Sequence, residues 1–191
     1  MRTELIAIGT SLGGLNALLA VVRHLPRDLP AAIVVVQHRG ATHNTGLVDL
    51  LQESTALTVV EPEDKTALKP GMLFVAPADY HLLVEDRESL ALSTDAPVRS
   101  ARPSIDVLFE SAADAYGDAV VGVLLTGASA DGAAGLARIK QRGGRVIVQD
   151  PATAECATMP SAGIAATAVD YVLPLERIGE HLLGLVEGTR V

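Results

Sequence analysis

Three stretches of this chain each end in a side chain of a kind used in acyl transfer. LIAIGTSLGGLNALL, residues 5–19, sets Ser11 between Gly9 and Gly13, the Gly-x-Ser-x-Gly spacing of a nucleophile elbow. Glycines on both sides let neighbouring backbone come close. A serine at a sharp strand-to-helix turn projects its hydroxyl beside helix N–H groups, around Leu12 and Gly13, that can hold an oxyanion. Residues 32–36 run into Gln37-His38-Arg39-Gly40, and residues 119–125 into Thr126-Gly127-Ala128-Ser129-Ala130-Asp131-Gly132. Hydroxyl, imidazole and carboxylate are the types of a nucleophile, a general base and the group that orients the base.

Each also has a plainer reading. Ser11 and Asp131 can cap the helices that follow them. His38 can simply end a strand, or act as a ligand with His43, but no Cys or carboxylate pattern completes a metal set, so no metal is expected. His81, close to Asp79, is a rival base. A strand end is the stiffer and better placed seat, so His38 is taken as the base. His24 fits the last turn of a helix, and His181 the surface of the final one.

Chemistry of this kind needs elements that bring the three side chains to one rim. Residues 5–8 form a short apolar run, and Leu15, Leu18, Leu19 and Val22 then fall on one helical face. The pattern repeats with strands at 32–36 and 57–61 around a helical stretch with Leu47, Leu50 and Leu51. Successive crossovers of this type give a parallel sheet with right-handed connections. Residues 72–76, 81–84 and 90–93 are short strand-like runs divided by Pro70-Gly71, Pro77-Ala78-Asp79 and Glu85-Asp86-Arg87, which predicts antiparallel hairpins at a sheet edge. A helix follows Pro103-Ser104, a central strand fills 119–125, and a helix runs to Arg142 before Gly143-Gly144. Strands at 145–149 and 171–173 and helices at 160–166 and 178–186 complete the chain. In such a sheet, ligands bind beyond the carboxyl ends of the strands, where the strand order reverses.

Composition narrows the classes. The chain has 191 residues, 49% of them hydrophobic but only 3% aromatic and no Trp, so the core is Val, Leu, Ile and Ala. A net charge of −8 argues against nucleic acid as partner. The apolar runs are too short to span a bilayer, and Met1 leads straight into the first strand, so a cytoplasmic protein without membrane insertion is expected. One cysteine, Cys156, excludes an internal disulfide and reads as a packed or inert thiol.

The sequence resembles the catalytic domain of CheB, the chemotaxis protein-glutamate methylesterase. The likeness runs through IAIGTSLGGLNAL, IVVVQH, GMLFVAPADYH, RPSIDVLFESAA, GVLLTGASADGAAGL and MPSAGI, in that order. It implies an α/β fold with a doubly wound, mostly parallel sheet flanked by helices and an antiparallel hairpin region at one edge. It also implies that the family's serine, histidine and aspartate fall on Ser11, His38 and Asp131. The activity implied is hydrolysis of methyl esters on chemoreceptor glutamates, with deamidation of receptor glutamines by the same residues and no cofactor. The partners implied are the cytoplasmic helices of methylated chemoreceptors.

Four pocket positions depart from the family's usual residues: Leu12 stands for Thr in GASTGG, Arg39-Gly40 for Met-Pro in QHMP, and Ala128 for Met in TGMGxDG. Arg39 is read either as steering an acidic substrate or as a solvated surface residue. CheB proteins generally carry an N-terminal receiver domain, for which Ser11 lies too near Met1, so a single domain over 1–191 is expected. A nucleotide-binding module and a catalytically silent interaction domain are the competing classes. Gly-x-x-x-Gly-Gly is not the dinucleotide fingerprint, and strand two ends in His38, not in an acidic ribose ligand.

Overall fold

The structure is a computed structural model that describes residues 3–39 and 46–188. Seven strands form one sheet in the order β3-β4-β2-β1-β7-β8-β9, every pairing parallel. They are β1 (Leu5–Thr10), β2 (Ala32–Gln37), β3 (Thr58–Val60), β4 (Met72–Val75), β7 (Val120–Leu124), β8 (Arg145–Gln149) and β9 (Tyr171–Leu173). The helices are α1 (Gly14–Val22), α2 (Leu47–Ser54), α3 (Ile105–Tyr116), α4 (Ala133–Gln141), α5 (Thr158–Ala166) and α6 (Leu175–Glu187).

A sheet covered on both faces needs near-continuous apolar strands, and β1, β2 and β7 are apolar throughout except for Thr10 and Gln37 at the carboxyl ends of β1 and β2. In β1, Leu5 and Ala7 enter one core with α3, α4 and Met159, while Ile6 and Ile8 enter the other with α1 and α6. The chain winds from β1 through β2 to one edge, then crosses to β7 and on to the other. Strand order therefore reverses between β1 and β7, which opens the crevice beside their carboxyl ends.

The middle of the chain differs from the sequence reading. Residues 72–75 do not join a hairpin; β4 inserts in parallel between β3 and β2, because both of its faces are needed to bury Leu73, Phe74 and Val75. Only β5 (His81–Val84) and β6 (Leu90–Ser93) pair antiparallel, as a separate two-stranded sheet. Its Leu82, Val84 and Leu90 pack into the core beside α3, and Val84 N–H donates to Ser111 Oγ. Among the described residues no helix is long and apolar enough to cross a membrane.

Gly9 sets the spacing between β1 and α3. A Cβ there would lie 2.2 Å from Ile105 Cγ2, so only glycine lets the first residue of α3 close onto the strand. Gly9→Ala is expected to cost about 1–3 kcal/mol in urea unfolding, as overpacking of a filled core does. A variant as stable as the parent would show that α3 has room to move.

Candidate active site

Ser11 sits at the crevice, held by its neighbours before any chemistry is considered. Its N–H donates to Thr126 O, and Thr10 Oγ1 donates to the same carbonyl, both at 2.9 Å. Thr126 Oγ1 in turn donates to Leu12 O and accepts from Cys156 N–H, which ties the ends of β1 and β7 to the segment before α5. The helix cap at Gly13 makes no side-chain hydrogen bond, so Ser11 is not spent on capping α1. Gly13 adopts φ +78°, a left-handed conformation that favours glycine, and its Cα faces the Glu155 side chain. A Cβ on Gly14 would lie 2.1 Å from Gln37 Oε1, so the elbow needs glycine there too. The result is a cavity of about 500 Å³ whose lining includes Ser11, Leu12, Gly13, Asn16, His38 and Glu155.

His38 follows β2, and its N–H continues the strand ladder to Thr10 O at 3.0 Å. Gln37 Nε2 donates to both Ser11 O and His38 O at 2.9 Å, clamping the two site segments together. Across the crevice, His38 Nε2 lies 2.7 Å from Asp131 Oδ2. Asp131 is fully buried but does not cap α4, whose cap is Gly132. Its carboxylate instead closes the N-terminus of α3, accepting from Ile105 N–H at 2.7 Å, Asp106 N–H at 3.1 Å and Ser104 Oγ at 2.9 Å. Burial pushes this carboxyl up, but the bonds from His38, the two amides and Ser104 outweigh it and hold Asp131 below the usual Asp value. At Asp106, burial and the nearby Asp131 charge win over the Gly135 amide and Arg99, so that carboxyl is raised.

The other sequence candidates fall in different places. His81 is buried, with Nδ1 accepting from Ser104 N–H and Nε2 3.2 Å from Ala96 O. Both ring nitrogens are thereby committed, and His81 supports the segment that presents Ser104 to Asp131. His181, read as a surface residue, is buried edge-on against the Tyr171 ring at 4.1 Å. Leu12 is exposed at the cavity mouth, whereas Ala128 is exposed outside that cavity's lining. Arg39 is neither solvated nor free: it is buried and ion-paired to Glu61 at 2.6 Å. Gly40 and His43 lie outside the described residues, among which no group of His, Cys, Asp and Glu gathers as metal ligands would. Sequence reasoning passed over Ser104, Gln37 and Glu155. Pro103-Ser104 read only as a helix entry, and nothing marked the other two.

The CheB methylesterase family model matches residues 6–182. This chain belongs to that family. Among CheB-type relatives, a Leptospira interrogans protein provisionally named protein-glutamate methylesterase/protein-glutamine glutaminase is 46% identical over 185 residues, covering 97% of this chain and 96% of its own. The protein-glutamate methylesterase FrzG of Myxococcus xanthus is 42% identical over 96% of this chain, which spans 55% of FrzG's length. The crystal structure of the Thermotoga maritima CheB methylesterase catalytic domain superposes with a TM-score of 0.92 at 35% identity, covering 97% of this chain and all of that one.

The two buried carboxylates make opposite contributions to acid stability. Asp131, lowered in the native state, contributes stability that is complete above its unfolded value of about 4 and is lost as pH falls through the lower native value. Asp106, raised, opposes this trend over the interval between its unfolded and native values. In urea titrations between about pH 2 and 5, Asp131→Asn is expected to flatten the rise of stability with pH and Asp106→Asn to steepen it. The same slope in all three proteins would contradict these assignments.

Proposed function

We propose that this chain is a serine hydrolase that removes methyl esters from glutamate side chains of chemoreceptors, with Ser11 as nucleophile, His38 as general base and Asp131 as the group that orients it. The observation that carries this reading is the buried Asp131–His38 hydrogen bond on the wall of the cavity that Ser11 lines. Because Nε2 is engaged by Asp131, Nδ1 is the nitrogen left to take the Ser11 proton. The hydrogen bond of the His38 ring is the one to Asp131, and a contact between a serine hydroxyl and its base commonly tightens only when substrate binds.

The steps follow from these groups. Ser11 Oγ attacks the ester carbonyl while its proton passes to His38 Nδ1. Asp131, unable to leave its four donors, stabilises the imidazolium by charge and keeps the Nε2 proton in place. Ser11, Gly14 and Gly127 N–H groups are already donating to Thr126 O, Ser11 O and Cys156 O, so the oxyanion is assigned to the Leu12 and Gly13 amides, with the Ala128 amide beside Gly127 as a further donor. One such donor is worth about 3–4 kcal/mol. The tetrahedral intermediate collapses, the imidazolium gives its proton to the leaving methoxide, and methanol departs. Water, deprotonated by the same imidazole, then releases the glutamate carboxylate from Ser11. A receptor glutamine follows the same route with ammonia as leaving group. The substrate segment is a cytoplasmic helix of the receptor, which places the enzyme in the cytoplasm.

Ser11→Ala is expected to lower methanol release from radiomethylated receptor membranes at least about a thousandfold, while leaving the unfolding free energy from urea titration within about 0.5 kcal/mol of the parent. His38→Gln should lose as much turnover, and His81→Gln should act mainly through stability. Unchanged turnover in the Ser11 variant, or a larger kcat loss in the His81 variant than in the His38 variant, would remove the assignment. Failure of a fluorophosphonate to label Ser11 would favour a silent interaction domain instead.

A further inference from the structure

Among the described residues that line the Ser11 cavity, Glu155 is the only acid. Its Cβ and its Oε2 each lie 2.7 Å from where a Cβ on Gly13 would stand, so the carboxylate rests against the elbow itself. The side chain is exposed, and no salt bridge among the described residues involves it. Past the elbow the wall continues into a further cavity of about 310 Å³, which shares Gly13, Asn16 and Glu155 with the first. The rest of that second wall carries no charged side chain. On the other side of the imidazole, Arg39 pairs with Glu61 and Arg102 with Asp79. Of these groups around the site, only Glu155 lacks an opposite charge.

A carboxylate in this place acts on whatever the ester brings with it. The Gly13 amide is one of the donors assigned to the oxyanion, so a negative charge against Gly13 opposes the charge that develops there. A basic side chain of the substrate set beside Glu155 relieves that opposition, and an acidic one adds to it. In a cavity of about 500 Å³, a substrate charge lies within roughly one Debye length of Glu155, about 8 Å in physiological salt, so screening weakens the effect without removing it. A protein substrate carries its neighbouring side chains into the site together with the ester.

We infer that Glu155 is a specificity-determining residue, which favours an esterified glutamate flanked by basic side chains over one flanked by acidic ones. The inference rests on the methylesterase reading and names part of its substrate class.

Three capped peptides test it, each with one glutamate γ-methyl ester and with Lys, Gln or Glu on both sides of it. Flanking the ester on both sides makes the test independent of the direction in which the chain binds. The readout is the ratio of kcat/KM for the Lys peptide to that for the Glu peptide, which a general loss of activity does not move. At low salt the parent is expected to show a ratio of about ten, with the Gln peptide in between, and a smaller one as salt is raised. Glu155→Gln should lower the ratio at least about threefold, gaining more on the Glu peptide than on the Gln peptide. Glu88→Gln removes the same charge from the turn between β5 and β6 and should leave the ratio at the parent value. A parent ratio of one or below, an unchanged ratio in Glu155→Gln, or an equal fall in Glu88→Gln overturns the inference. Binding of the labelled Lys and Glu peptides to Ser11→Ala and to Ser11→Ala/Glu155→Gln, read by anisotropy, reports on the charge preference without turnover. If the parent hydrolyses none of the peptides, the methylesterase reading has failed. The anisotropy ratio then decides alone: a Lys preference that needs Glu155 keeps the charge preference, and equal or undetectable binding overturns it.

Discussion

The carboxylate of Asp131, planted on the first turn of α3, is the contact on which the rest of the site depends. A buried charge survives only when its lone pairs are met, and here two amides, a hydroxyl and an imidazole meet them. Three of these donors come from Ser104–Asp106, and the fourth comes from the end of β2. One group thus joins the loop after β7, the start of α3 and the His38 imidazole. The partial positive charge of the helix N-terminus adds to the same anchoring. Removing any one donor leaves the carboxylate short of a partner inside a dry core, so the arrangement tolerates little drift.

Close backbone approach supplies the other half of the geometry. Gly9 lets Ile105 press against β1, Gly14 lets Gln37 sit beneath the elbow, and Gly127 lets Met159 and Ser11 Cβ come within contact distance. Gln37 and Thr126 then stitch the carbonyls of Ser11, His38 and Leu12 to their neighbours. The hydroxyl, imidazole and carboxylate are carried on loops, but each loop is fastened to its neighbours by the bonds that end the strands. Precision here comes from the sheet, not from the loops themselves.

How much of this could be read from the residues follows from the range of the forces involved. The strands of the parallel sheet were legible because burial on both faces demands unbroken apolar runs such as IVVV and VVGVLL. The positions of Ser11, His38 and Asp131 were legible because they end those runs. Residues 72–75 were misplaced because a short apolar strand looks alike in a hairpin and in a sheet interior, and only its partners decide. His81 stayed a rival until its two nitrogens were seen to face Ala96 and Ser104. Arg39 was ambiguous because burial of a charged side chain depends on groups distant in sequence, here Glu61 and Ala76. No local pattern announces such a contact, and the same holds for the Ser104 hydroxyl on Asp131.

The imidazole and its carboxylate stand 93 positions apart along the chain, and the segments that bear them meet only through strands laid side by side in parallel. Closing loops of that length is entropically slow, and no local hairpin or helix can prefigure the result. During refolding, helical signal should therefore return well before hydrolytic power does. A chain emerging from the ribosome would stay chemically inert until β7 has docked against β1, so a half-made copy is not a stray esterase.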